Sequence, residues 1–237
     1  MINWTIQNKN GLLEDHSSFD TILFDPPYDA GLYSSIPRKE SKNKNLIVWC
    51  SSPFIDKVFK CASQKGWNYS FMIVWDTQSC WYVPNRVLQR DNICVVFSEN
   101  KYNEDNAIVT DGIYRKSVTT RNTRGNYTSK EKKYSKLTSV FSLMRSGMNK
   151  SHPHEKPTEL MAGILGAVSA KRCIDLFAGS GAFALSAQIA ECTQYLGFEI
   201  DKQFSINANN NVSKKIDGVK TIKEFKEWAN PKQFELF

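Results

Sequence analysis

Residues 175–184 read Asp-Leu-Phe-Ala-Gly-Ser-Gly-Ala-Phe-Ala and directly follow an apolar pair, Cys-Ile, at 173–174. This stretch predicts a buried strand over 173–177, a turn with the spacing GxGxxA, and a helix over 181–192. Glycines there let the backbone turn tightly and approach a ligand closely, and the helix that follows offers free N–H groups. The stretch therefore predicts the binding loop of a nucleotide-binding sheet.

Glu199 extends this pattern. It stands 20 residues after Gly179, at the end of the next predicted strand, 195–199. A carboxylate at that position can accept hydrogen bonds from both hydroxyls of a ribose. The combined pattern fits NAD, FAD or S-adenosylmethionine, and the motif alone does not distinguish these cofactors.

The rest of the chain alternates predicted strands with predicted helices. Short β-branched and aromatic runs predict buried strands at 21–24, 46–50, 70–75, 93–97, 173–177 and 195–199. Helical patterns lie at 53–65, 157–170, 181–192 and 202–213. This alternation is typical of an α/β fold with a largely parallel sheet.

The position of the glycine motif in the chain constrains the topology. Only about 60 residues follow it, too few for the further βα units that a nucleotide-binding sheet needs. The missing strands must come from the N-terminal half of the chain. The sequence therefore predicts a circularly permuted Rossmann-like sheet.

A second motif, Asp25-Pro26-Pro27-Tyr28, directly follows the predicted strand 21–24. Prolines fix the backbone and carry no N–H donor, so the Asp25 carboxylate and the Pro26 carbonyl would form a rigid pair of acceptors. Such a pair beside an aromatic ring suits a planar base with an exocyclic amine, on which Tyr28 would stack. A simple proline-rich turn at the end of a strand is the structural alternative.

The net charge of +7 is concentrated in residues 115–150, called here the basic segment. The segment holds ten basic side chains and one acidic one, Glu131, set among Ser, Thr, Asn and Tyr. This composition indicates contact with the phosphates of a nucleic acid, although a solvated loop would have a similar appearance. The candidate DNA-binding residues are Arg115, Arg121, Arg124, Lys130, Lys132 and Lys133.

Together these motifs resemble the amino-group DNA methyltransferases of the β class, which depend on S-adenosylmethionine and whose catalytic motif precedes the cofactor motif. Residues 25–28 match the D-P-P-Y catalytic motif, residues 177–181 match F-x-G-x-G, and residues 152–157 resemble H-P-x-x-K-P. The resemblance implies that Asp25, Pro26, Pro27 and Tyr28 are catalytic. It also implies a cofactor-binding set consisting of Lys156, Asp175, Phe177, Ala178, Gly179, Ser180, Gly181 and Glu199.

The resemblance further implies an organisation and a reaction. Residues 1–99 would form the catalytic half of the methyltransferase domain, residues 100–150 the target-recognition insert, and residues 151–237 the cofactor-binding half. The implied reaction is methylation of N6 of a flipped adenine in double-stranded DNA, with N4 of cytosine and RNA left open. A cofactor-sensing DNA-binding protein without catalysis and a nicotinamide oxidoreductase are the alternatives from other classes.

The remaining expectations concern metals, partners and location. The six cysteines are irregularly spaced with no CxxC pair, which predicts reduced core residues and no metal site. No apolar run approaches the ~18 residues needed to span a bilayer, so a cytoplasmic protein without membrane contact is expected. A cognate restriction endonuclease and a homodimer are partners that the sequence leaves open.

Overall fold

The computed structural model describes residues 2–27, 31–81, 89–110, 118–121, 127–130, 134–142 and 155–224. The strands are β1 (Asn3–Asn8), β2 (Thr21–Phe24), β3 (Asn45–Cys50), β4 (Tyr69–Trp81), β5 (Gln89–Phe97), β6 (Ile108–Thr110), β7 (Val118–Arg121), β8 (Tyr127–Lys130), β9 (Tyr134–Lys136), β10 (Val140–Ser142), β11 (Arg172–Asp175) and β12 (Gln194–Glu199). The α-helices are α1 (Ile55–Gln64), α2 (Thr158–Ala167), α3 (Ala182–Ile189) and α4 (Lys202–Lys215).

Eight of these strands form one mixed sheet in the order β1-β12-β11-β2-β3-β5-β4-β10. Strand β5 runs antiparallel to both of its neighbours, and the other pairs in this sheet are parallel. Strands β11 and β12 lie between β1 and β2, although they come from the other end of the chain. The predicted circular permutation is therefore confirmed.

The sheet carries helices on both faces, and the apolar runs in its central strands explain this arrangement. Ile22 and Phe24 of β2 pack with Val58 of α1 on one face, whereas Leu23 packs with Leu160 of α2 on the other. A parallel strand that is buried on both faces reads as a continuous apolar run rather than an alternating one. This pattern made the central strands recognisable in the sequence.

The ends of the predicted insert at 100–150 pack on the body of the protein. The amide of Asn103 donates to the carbonyl of Ala167 at the end of α2, at 2.8 Å. A Cβ added to Gly163 of α2 would lie 2.8 Å from the carbonyl oxygen of Ile108, so this glycine allows the two backbones to approach closely. Strand β10 extends the main sheet by pairing with β4.

Within the described part of the chain, no helix is long and apolar enough to cross a membrane. Buried free thiols are found at Cys50, Cys94, Cys173 and Cys192, and Cys61 is half-buried. These five positions agree with the prediction of reduced cysteines in or near the core.

Candidate active site

The carboxyl ends of β2 and β11 lie side by side and form the floor of a cleft. The two strands are parallel, with Leu23 paired to Asp175, so the residues that follow them leave the sheet at the same level. The cleft between them has a volume of about 480 Å³, within the usual range for a small-molecule site. The sheet order alone brings the two sequence motifs to one place.

The glycine loop, residues 176–181, has a conformation that requires its glycines. Gly179 has a φ of 52° and Gly181 a φ of 78°, both in the left-handed region that other residues rarely adopt. A Cβ at Gly181 would also lie 2.7 Å from Cγ2 of Val212. Gly181 precedes α3, so the loop delivers the amino end of that helix to the cleft.

Glu199 fixes this loop and also lines the cleft. One carboxylate oxygen accepts a hydrogen bond from the Gly179 amide at 2.9 Å, and the other accepts from the Asp201 amide at 2.9 Å. Each carboxylate oxygen has two lone pairs, so both retain capacity for a ligand. Glu199 is thus a clamp on the backbone of the loop as well as an acceptor in the cleft wall.

Asp175 lies behind the cleft wall and is fully buried. Its carboxyl group accepts hydrogen bonds from the Tyr195 hydroxyl at 2.7 Å and from the Phe177 amide at 3.1 Å. Burial raises the pKa of Asp175 to about 7, against the opposing effect of these two hydrogen bonds. The predicted cofactor contact of Asp175 therefore stays a prediction, and its observed role is to brace the start of the glycine loop.

Asp25 projects into the cleft region beside Lys156. The Lys156 ammonium lies 2.8 Å from Oδ1 and 2.6 Å from Oδ2 of Asp25. Pro26 is buried and Pro27 is exposed, and both line the cleft together with Asp25 and Lys156. The structure thus joins a residue predicted to be catalytic with one predicted to bind the cofactor.

Tyr28 and most of the basic segment lie outside the described residues. Four of the candidate DNA-binding residues are among those not described, namely Arg115, Arg124, Lys132 and Lys133. The backbones of Arg121 and Lys130 are described, and they belong to the antiparallel pair β7–β8, in which Arg121 faces Tyr127 and Lys130 faces Val118. The predicted DNA contacts of all six basic residues stay predictions.

Sequence reasoning missed part of the cleft wall. The turn after β1 contributes Lys9, Asn10, Gly11 and Leu12, and the start of α4 contributes Ile200, Asp201 and Phe204. A Cβ at Gly11 would lie 2.6 Å from the carbonyl oxygen of Leu176, so the Asn10-Gly11 pair is a turn that presses against the glycine loop. An Asn-Gly pair after an alternating run is a turn signal that could have located this segment.

The arrangement places a carboxylate acceptor next to a loop built for close approach of a nucleotide-like ligand. Among the described residues, no group of His, Cys, Asp and Glu side chains is arranged to hold a metal ion. The Asp25 carboxylate can orient and polarise a hydrogen-bonding group beside a molecule bound at the glycine loop.

Several known structures share this fold. The chain is similar to M1.HpyAVI in its complex with SAM (TM-score 0.59, 17% identity, covering 88% of this chain and 98% of the other). It is also similar to the cytosine-N4-specific PvuII DNA methyltransferase (TM-score 0.62, 14% identity, 96% and 92% covered). A third similar structure is TTHA0409 from Thermus thermophilus, complexed with S-adenosyl-L-methionine (TM-score 0.55, 12% identity, 92% and 97% covered).

Sequence comparison identifies the family. No curated protein matches the chain in sequence. The N6/N4 methyltransferase family model, described as DNA methylase, matches residues 34–210, which is more than half of the chain and includes the glycine loop. The chain therefore belongs to the N6/N4 family of DNA methylases.

Proposed function

We propose that this DNA methylase transfers a methyl group from S-adenosylmethionine to N6 of adenine in double-stranded DNA. The observation that carries the proposal is the position of the Asp25 carboxylate, which lines the same cleft as the glycine loop and Glu199. An acceptor for an amine and a loop for a nucleotide-like cofactor thus open into one space. Family membership gives the amino group of a DNA base as the target, and the choice of adenine is the finer part of the proposal.

The cofactor site in this proposal is built by the glycine loop and the ends of β12 and α4. Glu199 accepts the ribose hydroxyls, and the apolar side chains of Ile200 and Phe204 line the cleft beside it. The left-handed glycines let the cofactor approach the backbone of the loop closely. Two of the similar structures are complexes with S-adenosylmethionine, which supports this choice over NAD or FAD.

The chemical step follows from the properties of the amine. The N6 lone pair of adenine is delocalised into the ring, so N6 is a poor nucleophile. Hydrogen bonds to the Asp25 carboxylate and the Pro26 carbonyl would localise the lone pair and aim it at the methyl group. S-adenosylmethionine supplies that methyl group on a positively charged sulfur. A nitrogen–carbon bond forms, the carbon–sulfur bond takes its electron pair to sulfur as it breaks, and the nitrogen then loses one proton to bulk water.

The base must leave the duplex to reach the cleft, and Tyr28 is proposed to stack on its face. The basic segment, within residues 100–150, is proposed to hold the phosphates and to recognise the target sequence. Residues 1–99 and 151–237 then supply the catalytic and cofactor-binding halves. Adenine is proposed over cytosine because, in the family that these motifs resemble, an aspartate rather than a serine before the two prolines favours adenine, and residue 25 is an aspartate.

The test is to incubate the protein with unmethylated DNA and isotopically labelled S-adenosylmethionine, and to identify the modified nucleoside by mass spectrometry. Labelled N6-methyladenine is the expected product. Labelled N4-methylcytosine would keep the family and correct the target base, and label in RNA but not in DNA would correct the nucleic acid. Calorimetry that detects NAD binding and no binding of S-adenosylmethionine would overturn the proposal.

A further inference from the structure

We infer that Lys156 is a positioning residue whose main role is to fix the direction of the Asp25 carboxylate, rather than to bind the cofactor. This inference rests on the proposed function, because the oriented carboxylate is the one that would receive the target amine. It changes the role of Lys156 from that of a member of the predicted cofactor-binding set to that of a partner of the proposed catalytic aspartate.

The ion pair between Lys156 and Asp25 involves both oxygens of the carboxylate. Both Asp25 oxygens lie within hydrogen-bond distance of the same ammonium group, at 2.8 and 2.6 Å. Contacts to both oxygens place the ammonium between them, so the ion pair fixes the direction in which the Asp25 side chain points and opposes rotation about its Cα–Cβ bond. Each oxygen keeps a second lone pair, so the carboxylate can still accept a hydrogen bond from a target amine. The pair is therefore compatible with substrate binding.

Lys156 is itself buried and contacts an aromatic ring. Its side chain is only 2% exposed, and its Nζ lies 5.3 Å from the ring centroid of Trp49. Trp49 is buried and packs edge-on against Trp75, with 6.4 Å between ring centroids. An ammonium over an aromatic face gains a favourable electrostatic interaction. The ammonium of Lys156 thus lies between the Trp49 ring and the Asp25 carboxylate, and both contacts restrict its position.

Lys156 and Asp25 each depend on the other for a charged partner. A buried ammonium needs a paired anion, because leaving it unpaired away from water is strongly unfavourable. Asp25 satisfies that requirement in the structure. A cofactor carboxylate would also pair the ammonium, so the cost of moving Lys156 to it would fall on Asp25, which would lose the partner that holds it during transfer. A lysine that stays on Asp25 avoids this conflict.

The test separates the two roles of Lys156 by kinetics and binding. Lys156→Met keeps the length and packing of the side chain and removes its charge and donors. We expect the single-turnover rate at saturating S-adenosylmethionine to fall about 10- to 100-fold, while the cofactor Kd measured by calorimetry stays within about threefold. Lys214→Met, at an exposed position near the end of α4, is the matched control and should change neither quantity.

A double-mutant cycle tests whether Lys156 acts through Asp25. In an Asp25→Ala background, Lys156→Met should reduce the residual single-turnover rate by less than about threefold, because the group that Lys156 orients is absent. Losses that simply multiply would show that Lys156 acts independently of Asp25 and would overturn the inference. If Lys156→Met does not fold, as judged by circular dichroism, Lys156→Gln takes its place in the same cycle.

Two further outcomes distinguish the inference from the proposed function. In one outcome, the cofactor Kd of Lys156→Met rises tenfold or more and the rate at saturation is unchanged. This result would show that Lys156 binds the cofactor, and it would leave the proposed function intact. Wild-type protein that binds no S-adenosylmethionine would instead overturn the proposed function, and with it the role inferred for Lys156.

Discussion

The two sides of the cleft are assembled over very different distances along the chain. On the glycine-loop side, Glu199 clamps Gly179 across only 20 residues. On the carboxylate side, Asp25 meets Lys156 across 131 residues. The first side is a local structure whose backbone conformation is set by its own glycines. The second exists only because the sheet order and α2 bring distant segments together, so the two sides should respond differently to mutation.

The largest effect is expected at Asp25. Asp25→Ala should lower the methyl-transfer rate by about 10²- to 10³-fold, which is typical for removal of one preorganised electrostatic contact. The cofactor Kd should stay within a few fold, because the glycine-loop side remains intact. Single-turnover kinetics and calorimetry measure the two quantities, with the exposed Asp217→Ala as a control for loss of a carboxylate. A parallel loss of cofactor affinity would show that the two sides are not separable.

A second large effect concerns the buried acid beneath the glycine loop. The folded-state pKa of Asp175 is raised from 3.8 to about 7, so the folded state holds a proton between these values that the unfolded state has released. Stability should therefore fall as pH rises from about 4 to about 7, by up to about 1.4 kcal/mol per pH unit from this group.

Asp175→Asn removes this titration while keeping an acceptor for the Tyr195 hydroxyl. Between pH 5 and pH 8 the wild type should lose about 3 kcal/mol of unfolding free energy relative to the variant. Urea unfolding of both proteins across this pH range gives the difference. Stability curves that stay parallel would mean that Asp175 is ionised throughout and that burial does not control its protonation.

A smaller effect is expected at Glu199. Glu199→Ala removes the acceptor from the Gly179 and Asp201 amides and from the proposed ribose contact. The cofactor Kd should rise about 10- to 100-fold, corresponding to the ~1.5–3 kcal/mol of hydrogen bonds to a charged group. Glu199→Gln, which keeps one carbonyl oxygen, should lose less affinity. Calorimetry that finds equal affinity in all three proteins would remove Glu199 from the cofactor site.

The smallest effect is expected in the basic segment. DNA affinity should fall with salt with a log–log slope of roughly −5 if about six phosphates are neutralised. Replacing Lys130, Lys132 and Lys133 together by Gln should weaken binding to all sequences alike and flatten the slope by about 1 per lost contact. Arg121→Gln or Arg124→Gln, by contrast, should cost ~1–3 kcal/mol only at a preferred site. A slope near zero would show that the basic segment does not contact DNA phosphates and is a solvated loop.

The difference between local and long-range structure also determines how much of the fold and of the site could be predicted from the sequence. The central strands were recognisable because burial on both faces makes them continuous apolar runs, and the glycine loop because its conformation needs glycine at 179 and 181. The permutation followed from counting the residues that remain after this loop. The strands and the loop are local features, and the permutation depends on the number of residues, so all three can be read from the sequence.

The features that the sequence did not predict lie at the edge of the sheet or depend on contacts between distant segments. Strand β1 lies at the edge of the sheet, and three of its six residues are exposed while only Ile6 is buried, so it lacks a continuous apolar run. The ion pair between Asp25 and Lys156 has no sequence signal, since each residue belongs to a separate motif. The clamp of Glu199 on the glycine loop depends on hydrogen bonds to backbone amides, which no residue pattern reveals.

The sheet order has a consequence for how this chain folds as it is synthesised. Among the described strands, β1 pairs in the main sheet with β12, and Asn3 lies opposite Gln194, so β1 lacks this partner until about 190 later residues have been synthesised. Strand β2 likewise lacks its β11 neighbour until residue 175. Contacts of such long sequence separation slow folding and leave apolar strand edges exposed meanwhile.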